Sequence, residues 1–275
     1  MRHTEAPWVR RTLIATAIAF VGILILLPVI AVFTEAFRKG LAFYMTSITD
    51  PLALSALRLT LLTAGTTIAA NLIFGLMASW LIAKFSFPGR NLLLSLIDIP
   101  FAVSPVISGL IFILVFGAQG WFGESLARHG FQVVFATPGV ILATIFVTFP
   151  FIARELIPLM QEQGSEEEEA ATLLCANGWQ TFRRVTLPNI RWALVYGVIL
   201  ANARAMGEFG AVSVVSGHIR GRTNTLPLHV EILYNEYNFS AAFAVASLLT
   251  LLALVTLVVK AALEWKIRME EKPWP

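Results

Sequence analysis

Residues 165–188 read SEEEEAATLLCANGWQTFRRVTLP. This segment is polar and charged, but one apolar run precedes it, within residues 139–153, and another follows it at residues 192–216. The hydrocarbon core of a bilayer is about 30 Å thick, and an α-helix of about 20 apolar residues crosses it. The pattern therefore predicts that residues 165–188 connect two transmembrane helices.

Four further apolar runs lie outside this pair. They cover residues 13–33, 59–83, 91–116 and 239–259, and the third is interrupted by Asp98, Pro100 and Pro105. The chain is 57% hydrophobic and 13% charged, with a mean hydropathy of +0.76, whereas soluble domains carry about 25% charged residues. Because helices satisfy their backbone hydrogen bonds internally within lipid, we predict an all-α integral membrane protein with six transmembrane helices.

The run at residues 13–33 follows Arg10 and Arg11, as a secretory or twin-arginine signal would. It is longer than the roughly 7–15 apolar residues of such a signal and is not followed by an A-x-A cleavage site. We therefore interpret it as a retained first span. The single cysteine, Cys175, excludes an internal disulfide and a multi-cysteine metal site. Nucleic-acid binding is not indicated, because the basic residues are scattered between apolar runs.

The distribution of basic residues predicts the orientation, since loops rich in Lys and Arg stay in the cytoplasm. With six spans and a cytoplasmic N-terminus, the inner segments contain Arg2, Arg10, Arg11, Lys84, Arg90, Arg154, Arg183, Arg184, Arg191, Lys260, Lys266, Arg268 and Lys272. The outer segments then contain only Arg38, Lys39, Arg58, Arg128, Arg220 and Arg222. Both termini are therefore predicted to be cytoplasmic, and the 165–188 loop is predicted to lie on the same side.

Within this loop, Ser165 and Glu168 have the spacing of a capping box, which predicts a short helix starting at Ser165. Glutamates at positions 166–169 would complement the dipole of its first turn. Asn177-Gly178 is a typical end of a helix. Such a helix either belongs to a solvated acidic loop or docks into a groove on another protein.

The spacing of this loop is more specific than its composition. The order is Glu169-Ala170-Ala171, three residues, Cys175, nine residues, Val185, one residue, and Leu187-Pro188. It resembles the EAA loop of ABC importer permeases, whose pattern is E-A-A, three residues, G, nine residues, I, one residue and L-P. The resemblance implies a type I ABC importer permease fold, in which residues 169–177 form a coupling helix seated in a cleft of a separate ATPase subunit.

The ATPase-coupling residues implied by this resemblance are Glu169, Ala170, Ala171, Cys175, Gly178, Leu187 and Pro188. Pro188 also suits the beginning of the fifth span. Cys175 stands where the family has glycine. Either the helix continues through position 175 and Gly178 provides the turn, or the docking geometry is altered.

Other segments resemble one branch of that family, the sulfate and molybdate permeases. They are FPGR at 87–90, LIDIPFAVSP at 96–105, NARAMGEFGA at 202–211, VVSG at 214–217 and TLPL at 225–228. The resemblance implies import of sulfate, with thiosulfate, across a bacterial inner membrane, and molybdate or tungstate is the alternative. It also implies a second homologous permease, two ATP-binding subunits that hold ATP and Mg, and a periplasmic sulfate-binding protein.

Arg204 and Glu208 fall inside the fifth apolar run, where an unpaired charge is costly. Their i, i+4 spacing predicts an ion pair, which either locks helices together or forms part of a gate. Asp98 precedes Pro100 and is predicted to end or cap a half-helix. Hydroxyl side chains at Ser104, Ser108, Thr144, Thr148, Ser213 and Ser216 either line an oxyanion path or bond within helices.

The sequence lacks the phosphate-binding pattern G-x-x-x-x-G-K-(S/T) and the H-E-x-x-H, C-x-x-C and G-x-S-x-G motifs. We therefore expect no catalytic site and no cofactor in this chain, and no metal at His218 and His229. An intramembrane enzyme centred on Arg204, Glu208 and Asp98, or a passive anion channel, would not explain the loop spacing. The predicted units are residues 1–57, a transmembrane domain at 58–262, and a tail at 263–275.

Overall fold

A computed structural model describes residues 7–270, and every regular element among them is helical. The helices are α1 (Pro7–Ala36), α2 (Leu41–Ile48), α3 (Pro51–Lys84), α4 (Arg90–Ala102), α5 (Pro105–Phe116), α6 (Gly123–Arg128), α7 (Thr137–Gln163), α8 (Glu166–Leu173), α9 (Gly178–Thr181), α10 (Leu187–Met206), α11 (Gly210–Ser216), α12 (Leu226–Asn235) and α13 (Phe239–Glu270). A π-helical segment, Phe182–Thr186, joins α9 to α10. Arg2 and Lys272, which entered the charge count, lie outside the described residues.

The six predicted spans appear as four continuous helices and two bent pairs. Helices α1, α3, α7 and α13 are each long and apolar enough to cross a membrane. Helices α4 and α5 meet at 110°, and the α10 and α11 segments meet at 51°. Counting each bent pair as one span reproduces the predicted number and order of crossings.

The third span breaks between Ala102 and Pro105. Ser104 is extended, with ψ of 136°, as the residue before a proline usually is. Pro105 then starts α5, where its missing N–H costs no helical hydrogen bond. The prediction that Asp98 ends or caps a half-helix is wrong, because α4 continues to Ala102. Asp98 instead faces α7 and pairs with Arg154.

Helix α7 lies at the centre of the bundle and packs against α3, α4, α5, α10 and α11. One of its buried clusters joins Ile152, Leu156 and Met160 to Ile190 and Ala201 of α10, and partly buried side chains of α3, among them Leu76 and Trp80, pack against it. Buried polar groups also cross between helices, since Asn71 of α3 donates to the hydroxyl of Thr148 at 2.7 Å. Interhelical hydrogen bonds of this kind replace the hydrophobic drive that lipid does not supply.

Helices α5 and α11 approach each other closely at Gly109. A Cβ atom at this position would lie 2.7 Å from the carbonyl oxygen of Ala211 and 2.8 Å from Val214 Cβ. Both contacts are too short for any side chain. The two short halves of the bent spans are therefore packed with their backbones almost in contact, as small residues permit in membrane bundles.

Candidate functional site

The 165–188 loop is held in place by one lysine at the end of α3. Lys84 donates to Glu168 Oε2 at 3.0 Å and also contacts the carbonyl oxygen of Gly164. The hydroxyl of Thr186 donates to Glu168 Oε1 at 3.1 Å. Only 9% of the Lys84 side chain and 20% of the Glu168 side chain are exposed. Helix α8 is therefore tied both to the end of α3 and to the segment that leads into α10.

A second connection joins the loop to α10. The side chain of Asn189, in the first turn of α10, donates to the carboxylate of Glu167. The Gln163 amide donates to the carbonyl oxygen of Asn189 at 3.3 Å. Leu187 and Pro188 begin α10 as predicted, and Pro188 occupies its first turn. A displacement of α8 would therefore be transmitted to the start of the fifth span.

The predicted capping box between Ser165 and Glu168 is wrong, although α8 begins next to Ser165. The Ser165 hydroxyl donates to Glu169 Oε1 at 2.5 Å instead of accepting a backbone N–H. The Glu168 carboxylate is turned toward Lys84. A partner that is distant in sequence thus replaces the local one.

Helix α8 ends at Leu173, earlier than the predicted stop at Asn177-Gly178. Cys175 has φ of +61°, and the N–H groups of Cys175 and Ala176 bond back to the carbonyls of Thr172 and Ala171. This is a Schellman ending, whose left-handed residue is usually glycine. The alternative in which the helix continues through Cys175 is therefore wrong, because Cys175 itself makes the turn.

The next helix starts with a true capping box. Asn177 Oδ1 accepts from the Gln180 N–H, and Gln180 Oε1 accepts from the Asn177 N–H, both at 2.9 Å. Gly178 is therefore the first residue of α9 and does not form the turn at the end of α8. The pair Asn177 and Gln180 begins a helix that continues through the π-helical segment into α10.

The C-terminal end of α8, the turn after it and the start of α9 present exposed apolar side chains. The exposed fractions of Leu173, Leu174 and Trp179 are 86%, 84% and 67%. Of the predicted coupling residues, Glu169, Ala170, Cys175 and Gly178 are exposed and Ala171 is half-buried. Contiguous exposed apolar side chains of this kind are typical of a protein-binding surface.

Arg204 and Glu208 form the predicted ion pair, with Nη1 and Oε2 2.5 Å apart. Arg204 lies in the last turn of α10, whereas Glu208 lies in the break before α11. Glu208 Oε1 also accepts from the Ala211 N–H at 2.8 Å. The Glu208 side chain is 1% exposed and that of Arg204 is 32% exposed. The carboxylate therefore joins the two parts of the bent span, and the guanidinium keeps one open side.

The predicted hydroxyl residues do not form one exposed row. Ser104 is exposed at the start of α5, Ser213 is half-buried and Ser108 is 1% exposed. Ser108 donates to the Ser104 carbonyl at 3.2 Å, and Ser213 donates to that of Gly210 at 2.9 Å. Thr144, Thr148 and Ser216 are buried. The hydroxyls of Ser108, Thr144, Thr148 and Ser213 donate to backbone carbonyls three or four residues earlier in the chain. The Ser216 hydroxyl instead accepts from the His218 N–H.

His218 and His229 do not face a common centre. His218 Nδ1 lies 3.9 Å from Glu231, whereas His229 is buried beside Asn224. Burial lowers the pKa of His229, which favours its neutral form. Within residues 7–270, no three His, Cys, Asp or Glu side chains are grouped as metal ligands.

Residues 71–269 match the family model described as binding-protein-dependent transport system inner membrane component. The chain belongs to this family. The sulfate transport system permease protein CysW of Escherichia coli (strain K12) is 52% identical to this permease over 273 residues, covering 98% of this chain and 94% of that protein. CysT of the same strain is 36% identical over 244 residues, covering 89% and 88%.

The fold of this permease is also found in a solved transporter. A crystal structure of a bacterial alginate ABC transporter, in complex with an alginate pentasaccharide-bound periplasmic protein, matches with a TM-score of 0.77 at 17% identity. The match covers 98% of this chain and 96% of that chain. The predicted all-α ABC importer permease fold is therefore confirmed. Family membership likewise confirms a transport subunit rather than an enzyme.

Two ion pairs were not predicted from the sequence: the pair that holds the 165–188 loop and the pair that joins α4 to α7. Lys84 and Glu168 are 84 residues apart, and Asp98 and Arg154 are 56 apart. The only sequence signal for either pair is a charge at the edge of, or within, an apolar run. Such a signal predicts that a partner exists, but not which residue it is.

Proposed function

We propose that this permease is one of two pore-forming subunits of an ATP-driven importer of sulfate, with thiosulfate as a further substrate, in a bacterial inner membrane. The observation that carries the proposal is the 52% identity to CysW along 98% of the chain. The weaker identity to CysT supports a partner permease of related sequence, and the substrate named for both relatives favours sulfate over molybdate or tungstate.

The complete importer would contain this permease, a second homologous permease, two ATPase subunits and a periplasmic sulfate-binding protein. ATP and Mg would be held by the ATPase subunits. The periplasmic protein in the alginate transporter complex is the precedent for a binding protein on the outer face. The outer loops with Arg220 and Arg222 would meet that protein, and both termini of the permease would be cytoplasmic.

In this proposal α8 is the coupling helix, and its exposed face docks on an ATPase subunit. Leu173, Leu174 and Trp179 would be covered in the complex, which removes apolar surface from water. Glu169 stands at the exposed edge of the same helix, where its charge can meet a basic group. Movement of the ATPase subunits would reach α3 through Lys84 and α10 through Thr186 and Asn189.

We propose that the Arg204 and Glu208 pair locks the two parts of the bent span together and does not act as a gate. The carboxylate pairs with Arg204 and accepts from the Ala211 N–H, and it is almost fully buried. Removing one member of such a pair leaves an uncompensated charge. The bend between α10 and α11 would then be a fixed joint of the pore wall.

Uptake by reconstituted vesicles tests the function. Proteoliposomes containing this permease, its partner permease and the ATPase subunits would be supplied with ATP inside and with sulfate-loaded binding protein outside. We expect accumulation of radiolabelled sulfate that depends on ATP. Uptake of molybdate with exclusion of sulfate would support the alternative substrate, and sulfate flux without ATP would support a channel.

Glu169→Lys tests the coupling role in the same vesicles. Reversing the charge on the exposed edge of α8 should weaken ATPase docking or separate ATP hydrolysis from uptake, with at least about a tenfold loss of sulfate accumulation, as expected when a charge-assisted contact becomes repulsive. Glu124→Gln, at an exposed pair far from the loop, is the matched control. Normal uptake by Glu169→Lys at normal expression would contradict the coupling role.

A further inference from the structure

The Asp98 and Arg154 pair lies between α4 and α7, the helix at the centre of the bundle, and remains partly exposed. Arg154 Nε donates to Asp98 Oδ1 at 2.9 Å, and the pair connects α4 to α7. The exposed fractions are 56% for the Arg154 side chain and 47% for that of Asp98. In contrast to the Arg204 pair, both partners are open to whatever lies beside this chain.

Asp98 lies inside the apolar run of the third span, and Arg154 directly follows the apolar run 139–153 of the fourth, at its inner end. Asp98 is eight residues beyond Arg90, the first residue of α4, and Arg154 is nine residues before Gln163, the last residue of α7. At 1.5 Å per residue, each is about 12–14 Å from the helix end near the 165–188 loop. Charged side chains at such depth face water-filled cavities or other protein and avoid lipid. The exposed side of this pair therefore does not face hydrocarbon.

The guanidinium of Arg154 is held in one orientation. Its Cζ atom lies over the ring of Phe101, 4.7 Å from the ring centroid, and Phe101 packs edge-on against Phe151 at 5.2 Å. The Nε group is used by Asp98. The terminal Nη1 and Nη2 groups make no hydrogen bond to the residues that the structure describes. A planar pair of N–H donors, fixed from behind, matches the oxygens of a tetrahedral oxyanion.

Asp98 limits how tightly such an anion would bind. A lone arginine in a partly dry path would hold a dianion strongly, because charge interactions strengthen as the dielectric constant falls. A transported ion must bind weakly enough to leave again. A carboxylate 2.9 Å from Nε offsets part of the positive charge while it leaves the terminal donors open.

We propose that Arg154 contacts the tetrahedral oxyanion in the permeation path and that Asp98 positions its guanidinium and weakens the contact. The proposal rests on the proposed function, because it takes the transported ion to be a sulfate-like dianion. It assigns the ion contact to the inner part of the path between α4 and α7, rather than to Arg204 or to the hydroxyl residues.

Neutralising one or both partners separates this role from a structural one. Arg154→Gln should lower sulfate uptake in the reconstituted importer by at least about tenfold, as expected for the loss of a charged hydrogen-bond donor. Arg154→Lys should recover part of it. In the double variant Asp98→Asn with Arg154→Gln, uptake should stay low. A merely structural pair behaves differently, since removing both charges restores stability, and full recovery of uptake by the double variant would overturn the proposal.

A labelling experiment that leaves the pair intact covers the case in which these variants fail to assemble. Phe101 is 44% exposed beside the guanidinium, and Cys175 is the single native cysteine. In a Cys175→Ser background, Phe101→Cys should react with a charged, water-soluble thiol reagent, and inorganic sulfate should slow the reaction. Reaction only with a lipid-soluble reagent would place this face in lipid and overturn the proposal.

The two proposals fail in distinguishable ways. Wild-type vesicles that transport neither sulfate nor molybdate would contradict the proposed function. Normal wild-type transport of either dianion, together with full recovery in the double variant, would contradict only the role of Arg154.

Discussion

At the scale of single residues, Cys175 shows how the loop uses a position where the family pattern has glycine. Its φ of +61° and its place in the Schellman ending require a left-handed backbone. A non-glycine residue pays about 1–2 kcal/mol for this conformation. The cost is greater for a branched side chain than for a small unbranched one. Cysteine, which is unbranched, is therefore tolerated where valine is not.

This geometry makes two opposite predictions. Cys175→Gly should raise the free energy of unfolding of the purified permease by up to about 1 kcal/mol and preserve sulfate uptake. Cys175→Val should lower the amount of ATPase subunit that copurifies, because the turn that presents Leu174 is lost. Thr172→Val, with the same side-chain shape on a helical residue, is the control. Equal behaviour of all three variants would show that the turn tolerates other conformations.

Two of the residue-level predictions that are wrong, those for Glu168 and Asp98, share one cause. The capping box of Ser165 and Glu168 is a local pattern, but Lys84 lies close enough in space to take Glu168. Asp98 looked like a helix terminus because Pro100 follows it closely, yet α4 accommodates that proline and Arg154 supplies the partner charge. Local chemistry alone cannot rank a neighbour in sequence against a stronger partner that the fold brings near.

At the scale of elements, the position of α8 depends on the Lys84 and Glu168 pair. Both side chains are largely buried, so removing one charge leaves the other poorly solvated, at a cost of about 1–3 kcal/mol. Lys84→Met and Glu168→Gln should each reduce the sulfate transported per ATP hydrolysed several-fold. ATPase subunits should still bind, because the exposed face of α8 is unchanged.

Reversing the pair gives the internal control. Lys84→Glu combined with Glu168→Lys should restore coupling only in part, since the reversed pair places a carboxylate against the Gly164 carbonyl, which now accepts from Lys84. Glu124→Gln, which removes an ion pair that is more than two-thirds exposed on both sides, should have little effect. Unchanged coupling in Lys84→Met would show that α3 is not driven through this contact.

The apolar runs predicted the spans well, because membrane thickness determines their length. The bend angles, in contrast, were not predicted. Pro105 indicates an interruption, but the 110° angle between α4 and α5 depends on how α5 packs on α11 at Gly109. The sequence of the run at 91–116 gives no indication of that contact. The turn is set by a helix about 100 residues later in the chain.

At the scale of the whole molecule, the chain looks like one part of a larger assembly. No residue in the most apolar 18-residue stretch of α1 is buried, and less than a third of the corresponding stretches of α3 and α13 is buried. Lipid can cover such surfaces. It cannot cover the open Asp98 and Arg154 pair or the apolar end of α8, which need water or protein. The exposed surfaces are therefore of two kinds. Apolar helix faces are covered by lipid, whereas the ion pair and the end of α8 require the permeation path or a partner subunit.

The orientation of the chain in the membrane determines on which side each of these surfaces lies, and reporter fusions can test it. Alkaline phosphatase, which is active only outside the cytoplasm, should be active when fused after Gly221 in the loop between α11 and α12. It should be inactive when fused after Gly164, beside α8. Green fluorescent protein fused after the last residue should fluoresce, because the excess of basic residues retains that end in the cytoplasm.

The fusion sites differ by one predicted crossing, so each serves as a control for the other. Among the described helices between them, the α10 and α11 pair is the candidate span, and its 51° bend makes it either one crossing or a re-entrant loop. Opposite phosphatase activities at Gly164 and Gly221 would show that the bent pair crosses the bilayer once. Equal activities would mean that it re-enters on the same side, and the 165–188 loop and the Arg220 loop would then share a face. That arrangement would leave α8 and the binding-protein surface on one side of the membrane, which contradicts the proposed importer.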